Sequence, residues 1–128
     1  HATGNHTFNH LNGWKTKNSF YIRDIEEASK YINAKLFRPP YGKISPFISR
    51  ILRNQFQYKI IMWNVLSGDF DENLSAEKCM QNVLWNTQAG SIIVFHDSTK
   101  AWERMSFALP KVLNHFISKG FSFKRIVE

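Results

Sequence analysis

His6 and His10 sit four positions apart in HATGNHTFNH, a stretch that holds three of the chain's five histidines. On one turn of helix that spacing points both rings to the same side. Two neutral imidazoles so placed make a metal-ligand pair; a hydrogen-bonded pair in a loop is the plainer reading. Further along, Arg38 and Tyr41 flank two prolines in RPPY, which by itself is a rigid turn. Asp69 lies in a Gly-Asp loop, where an aspartate serves as turn residue or helix cap. His96 ends the apolar run SIIVF and is followed by Asp97, so it is either a satisfied core histidine or an acid-base group. Trp63 is either core or a platform for a sugar ring.

These residues need elements to hold them. Between Ser19 and Asn33, Ile22, Ile25, Ala28, Ser29 and Ile32 recur near the helical period, with Asn18 or Ser19 as N-cap. KLFRPPYG reads as a short strand closed by its prolines. Ser45 and Pro46 then start a helix with Phe47, Ile48, Ile51 and Leu52 on one face. YKIIMWNV, rich in β-branched and aromatic residues, reads as one buried strand. SGDFDENLS is a polar loop, and Ser75 caps a third helix whose stripe is Met80, Val83, Leu84 and Thr87, ended by Gly90. SIIVFH is a second apolar strand. Pro110 is placed to begin a last helix through Val112, Leu113, Phe116 and Ile117, and FSFKRIV closes as a strand. Apolar strands alternating with helices predict a parallel α/β sheet or barrel. Chemistry in such folds gathers at the carboxyl ends of the strands, so one edge of one sheet is expected to collect the polar residues above.

Bulk composition agrees with a folded domain and narrows little else. The 128 residues are 43% hydrophobic and 21% charged, enough for one compact domain with a core. The net charge of +7 permits anionic partners such as nucleic acid, anionic lipid or acidic glycan, or merely a solvated basic face. Cys79 is the single cysteine, which leaves neither an internal disulfide nor a cysteine-based zinc site. No run of about 18 apolar residues is present to span a membrane.

GNHTFNH, FRPPYG, MWNVLSGDF and SIIVFHDS, in that order, resemble the successive motifs of the polysaccharide deacetylase (NodB-homology) family of carbohydrate esterases, and ALPKVLNHFISKGFSFKRI resembles its last helix and strand. The resemblance implies a distorted parallel (β/α) barrel and metal-assisted hydrolysis of acetyl groups on a polysaccharide. It makes His6 and His10, from H-[ST]-x-x-H, two of three ligands of a divalent metal, commonly zinc. Neutral imidazoles suit that ion, and a catalytic site keeps a position open for water. From R-x-P-Y it implies that Arg38 orients the catalytic base and that the Tyr41 backbone N–H stabilises the tetrahedral oxyanion. From L-x-H it makes His96 the general acid. Asp69 matches the second aspartate of D-x-x-D-W and would tune His96, while Trp63 would wall the acetyl pocket.

Three positions depart from those motifs: Leu66 replaces the first aspartate of D-x-x-D-W, Phe70 its tryptophan, and Val94 the leucine of L-x-H. The first removes a charge and leaves the tuning of His96 to Asp69 or Asp97. The family's T-F-D-D motif, which supplies the base and the third ligand, is expected upstream of His1, with a further βαβ-like stretch of roughly 60 residues. Residues 1–128 are therefore expected to be the C-terminal portion of one such domain, lacking its first strand-helix units and inactive alone, with an unpaired sheet edge open to self-association.

The leading expectation is thus a metal-dependent deacetylase of a polymer containing N-acetylglucosamine, acting at the cell envelope or outside the cell. A non-catalytic glycan-binding relative is the alternative, supported by Leu66. Nucleic acid is not an expected partner, because lysine and arginine are spread along the chain and no aromatic-basic motif of an RNA-binding sheet is present.

Overall fold

A computed structural model describes residues 1–127, and these form two compact units: residues 1–62 together with 125–127, and residues 63–124. Each unit is built on a parallel strand-helix-strand crossover.

In the first unit, helix α1 spans Asn18–Ser29 and buries Tyr21, Asp24, Ile25 and Ala28, an i, i+3, i+4, i+7 stripe. It differs from expectation at both ends. Lys17 is the N-cap and offers no side-chain bond; its carbonyl accepts from Phe20 and Tyr21. Past Ser29 the turn tightens, with Lys30 N–H donating to Glu27 and Tyr31 N–H to Ala28. Strand β1 (Leu36–Phe37) pairs in parallel with β2 (Lys59–Ile60), in the register Leu36 to Lys59 and Phe37 to Ile60. Asn5 bridges to Phe37 in parallel. Helix α2 (Pro46–Asn54) makes the crossover; the Ser45 hydroxyl accepts from Ile48 N–H and Pro46 fills the first turn. Ile48 and Leu52 are buried, but Phe47 lies on the flank of that stripe and is exposed. Tyr21, Ile25, Phe37, Ile48, Leu52 and Tyr58 form the core.

In the second unit, β3 (Val65–Leu66) pairs in parallel with β4 (Ile93–Val94), Val65 to Ile93 and Leu66 to Val94. Helix α3 (Ala76–Asn86) makes the crossover, capped by the Ser75 hydroxyl and buried through Cys79 and Val83; Met80, Leu84 and Thr87 are only half-buried. Helix α4 (Trp102–Ser118) packs on α3. The core is Val65, Val83, Val112 and Phe116.

Three sequence-based expectations are corrected. YKIIMWNV is not one strand: β2 and β3 flank an interruption at which Asn64 Oδ1 accepts from Ile92 N–H, and each half joins a different two-stranded sheet. A single sheet edge therefore does not collect the polar residues. Helix α4 does not begin at Pro110 but encloses it. Arg104, Ala108, Val112 and Phe116, spaced by four, bury one continuous face, and Pro110 lies on the exposed side, where burial elsewhere offsets its missing N–H. Residues 121–127 form no strand, and Phe121, Phe123 and Val127 are exposed. No strand pairs with them among the described residues, although the Val127 carbonyl accepts from Lys59 Nζ of β2.

Candidate active site

The His6–His10 segment is not helical, so the expectation that one helical turn aims the two rings is corrected. Thr7 and His10 both adopt left-handed backbone, with φ of 62° and 55°. Buried side chains hold this unusual loop. Asn5, bridged to β1, donates from Nδ2 to the Ile25 carbonyl (2.9 Å) and the Tyr58 hydroxyl (3.1 Å), while its Oδ1 accepts from Thr7 N–H (2.9 Å). Asp24 of α1, 7% exposed, accepts at Oδ2 from Phe8 N–H and Asn9 N–H (both 2.9 Å), and at Oδ1 from the Asn9 amide. Thr7 Oγ1 accepts from Leu11 N–H. Fixed in this way, the His6 and His10 rings lie 4.9 Å apart, edge to face.

The Arg38 carbonyl sets the tautomer of His6. Its Nδ1 is 2.6 Å from the Arg38 carbonyl oxygen. A carbonyl can only accept, so Nδ1 carries the proton, and Nε2 is the nitrogen through which this imidazole would ligate a metal. Among the described residues no group of three or more His, Cys, Asp or Glu could hold an ion. The donor set fits two of the three ligands of a catalytic zinc site and supplies no third.

Arg38 and Tyr41 are placed by the two prolines that end β1. Arg38 is half-buried; Nε donates to the Ile61 carbonyl (3.2 Å) and the guanidinium also reaches that of Met62, and burial lowers its pKa from the usual arginine value. Tyr41 sits in the 3₁₀ turn Pro40–Gly42 with φ of 58°, and its exposed ring meets His10 edge to face at 4.7 Å. The first unit thus brings His6, His10 and Tyr41 together, with Arg38 tied to His6 through its backbone.

The second unit holds a separate pair. Beyond β3 the Ser67 N–H still bonds Val94, then Gly68 turns with φ of +81°, where a Cβ would meet Leu74 Cδ2 at 2.8 Å. The turn delivers Asp69 into the interior, fully buried. Its Oδ2 accepts from His96 N–H (2.6 Å) and its Oδ1 lies 2.7 Å from His96 Nδ1. The carboxylate therefore fixes both the backbone and the ring of His96 and leaves Nε2 facing outward, with the side chain 40% exposed. Asp97 is exposed, so Asp69 is the residue that engages His96. Phe70, in the position of the family's tryptophan, meets the His96 ring edge to face at 5.2 Å. Leu66, in the position of its first aspartate, is exposed. Trp63 is half-buried just ahead of β3 and belongs to no strand.

Asn5, Asp24 and Arg104 were not among the residues the sequence singles out. Arg104 is buried on α4; its Nε donates to the Asp69 carbonyl at 2.8 Å and its guanidinium to that of Lys100, locking the turn that presents Asp69. The available signal was a charge inside an apolar stripe: Asp24 among Tyr21, Ile25 and Ala28, and Arg104 in register with Ala108 and Val112.

Comparison with known proteins supplies the context for these geometries. A family model described as polysaccharide deacetylase matches residues 1–60. A peptidoglycan-N-acetylglucosamine deacetylase of Bacillus cereus is 27% identical over 134 aligned positions, covering 100% of this chain and 62% of the relative. Chitin deacetylase 2 of Saccharomyces cerevisiae is 30% identical, covering 88% of this chain and 40% of that protein. This chain therefore spans roughly half the length of these curated relatives. A crystal structure of a peptidoglycan N-acetylglucosamine deacetylase in complex with 4-naphthalen-1-yl-N-oxidanyl-benzamide superposes with a TM-score of 0.83 at 29% identity, over 97% of this chain and 60% of that one.

Proposed function

Because the chain belongs to the polysaccharide deacetylase family, we propose that it is the C-terminal portion of a single deacetylase domain, a distorted (β/α) barrel, that hydrolyses acetyl groups on a polymer containing N-acetylglucosamine. The observation that carries this reading is the convergence of the His6 and His10 rings at 4.9 Å, with Nδ1 of His6 committed to the Arg38 carbonyl. His6 and His10 are the residues that would hold a divalent metal, zinc by the chemistry of two imidazoles. Bound there, such an ion supplies Lewis acidity and lowers the pKa of a water molecule.

The chain's own residues do the rest. His96, held at Nδ1 by Asp69, presents Nε2 to donate a proton to the leaving nitrogen or oxygen as its bond to the acetyl carbon breaks, giving acetate and a free amine or hydroxyl. The Tyr41 backbone N–H stabilises the tetrahedral oxyanion, Arg38 orients the catalytic base, and Trp63 walls the acetyl pocket, as the family resemblance implies. The resemblance places that base and the third metal ligand in a T-F-D-D motif. Since no carboxylate joins His6 and His10 among the described residues, the 128 residues by themselves are expected to release no acetate. The same reading puts the enzyme at the cell envelope or outside the cell, and allows self-association through the edges of its short sheets.

The test is metal analysis and acetate release from acetylated chito-oligosaccharides by a longer natural protein containing T-F-D-D, beside His10→Ala and His96→Ala. Loss of zinc in the first variant, with loss of turnover but retained zinc in the second, is expected. Acetate release by the 128 residues alone with metal added would sink the inactivity argument. A second reading, a glycan-binding relative without catalysis, is favoured by the exposed Leu66 in place of an aspartate. It predicts a longer protein that binds chito-oligosaccharide, takes up no zinc and releases no acetate.

A further inference from the structure

Trp14 is 65% exposed, yet it is held in place more firmly than an incidental surface residue. Its indole Nε1 donates to the Ile44 carbonyl at 3.1 Å, and Lys43 Nζ sits over the ring, 4.0 Å from its centroid. The backbone beneath is equally constrained. Trp14 N–H bonds Asn12 Oδ1, and a Cβ at the buried Gly13 would come within 2.4 Å of the Lys43 carbonyl oxygen, so this turn is pressed directly onto residues 43–44. Lys43 covers one face and Ile44 takes the pyrrole N–H, which leaves the opposite face and the benzo edge as the candidate contact surface.

Its surroundings give that face a direction. Lys43 follows the 3₁₀ turn that carries Tyr41, and its N–H bonds Pro40. The Tyr41 ring meets His10, and His10 meets His6, at 4.7 and 4.9 Å. The rings of His6, His10 and Tyr41 are in contact, and Lys43, which covers Trp14, lies two residues beyond Tyr41, all within the first unit. Trp85 and Trp102 are comparably exposed, at 70% and 62%, but neither indole N–H has a protein partner among the described residues. Trp85 also has a lysine over its ring, Lys78 Nζ at 4.9 Å from the centroid, but of the three only Trp14 is fixed at its indole N–H as well, and pre-organisation is what a weak, flat ligand contact requires.

We propose that Trp14, buttressed by Lys43, is a sugar-stacking subsite. It would take a residue of a β-1,4-linked N-acetylglucosamine chain other than the one whose acetyl group faces His6 and His10. The apolar C–H face of a pyranose matches the indole face that Lys43 leaves uncovered. This rests on the deacetylase reading for the identity of the glycan, and it explains how a polymer, rather than a free sugar, is retained at an open site.

Calorimetric titration of the full chain with chitopentaose tests it. Trp14→Ala is expected to weaken binding about tenfold, the effect of one lost stacking contact of about 1.4 kcal/mol, while Trp14→Phe stays within about threefold and Trp85→Ala leaves affinity unchanged. Equal affinity of the Trp14→Ala and natural chains, an equal loss in Trp85→Ala, or no saturable binding by the natural chain would each overturn the proposal. His10→Ala separates it from the catalytic reading. Glycan binding retained in that variant, whatever happens to zinc uptake and acetate release, supports the subsite; loss of glycan binding there while Trp14→Ala binds normally rejects it.

Discussion

Replacing Asp24 by Asn is the most direct probe of how the His6–His10 loop is built. The carboxylate is nearly the same shape as the amide, but it receives three donors: Phe8 N–H and Asn9 N–H at Oδ2, and the Asn9 side-chain amide at Oδ1. Asparagine can offer only one acceptor oxygen. In its better orientation the oxygen replaces Oδ2, keeping two bonds and setting NH2 against NH2 at Asn9. A hydrogen bond to a charged group is worth about 1.5–3 kcal/mol and a neutral one about 0.5–1.5. One charged bond is then lost outright and two are downgraded by about 1 kcal/mol each, a gross loss near 4 kcal/mol. Relief from burying a charge at a 7% exposed site returns part of this, leaving about 2–3 kcal/mol. Urea unfolding should show a lower midpoint at unchanged slope. Zinc affinity should fall about tenfold as well, because the loop must then be ordered by the metal rather than before it. A stability change below about 1 kcal/mol, with Phe8 and Asn9 amide resonances unmoved, would refute the claim that this carboxylate shapes the loop.

Other consequences are checked by similar means. The Tyr21 hydroxyl is buried without a hydrogen-bond partner among the described residues, so Tyr21→Phe should be neutral or stabilise by up to about 1 kcal/mol. Burial, reinforced by the Asp24 carboxylate, pushes the Tyr21 phenol above its ordinary value. The unfolded chain loses that proton near pH 10 while the folded chain keeps it, so stability should fall above about pH 10 in the natural chain and fall less in Tyr21→Phe. Burial, with Asp69 adding to it, likewise raises the Cys79 thiol, so iodoacetamide labelling at neutral pH should track unfolding; rapid labelling of the folded chain would contradict the packing of α3. Pro110→Ala restores a backbone donor inside α4 and should raise stability by about 1–3 kcal/mol; an unchanged urea midpoint would refute it.

Legibility in the sequence followed the range of the interaction. Ser45, Pro46 and Ser75 act within one turn of their own position, and both helices start where those residues say they should. His96 was legible because it closes an apolar run and Asp69 because it lies in a Gly-Asp loop, but which aspartate engages His96 depends on how deep the Gly68 turn carries the chain. Spacing misled where left-handed backbone intervened: histidines four apart suggest a helix, whereas His6 and His10 reach the same convergence through left-handed Thr7 and His10, held by buried Asn5 and Asp24. Asp24 itself was hidden because an apolar stripe phased on Ile22 and Ile32 puts position 24 outside it; the observed stripe is phased on Tyr21. Pro110 and the terminal FSFKRIV failed for opposite reasons. A buried i+4 face overrode a local helix-start signal, and a local strand signal found no partner.

His6 and His96 share one device and differ in its charge. His6 gives Nδ1–H to a backbone carbonyl and His96 gives it to a fully buried carboxylate. A neutral carbonyl fixes the ring without compensating a positive charge, which fits an imidazole whose lone pair must stay available to a cation. A carboxylate compensates the charge of a doubly protonated ring, which fits an imidazole that must carry and release a proton. The ligand and acid roles assigned by resemblance therefore have a counterpart in the partners the fold selects. Exchanging the partner's charge at Asp69, by Asp69→Asn, should cost turnover in the longer enzyme while sparing zinc uptake at His6 and His10. Loss of zinc in that variant would show that the two histidine environments are not functionally separate.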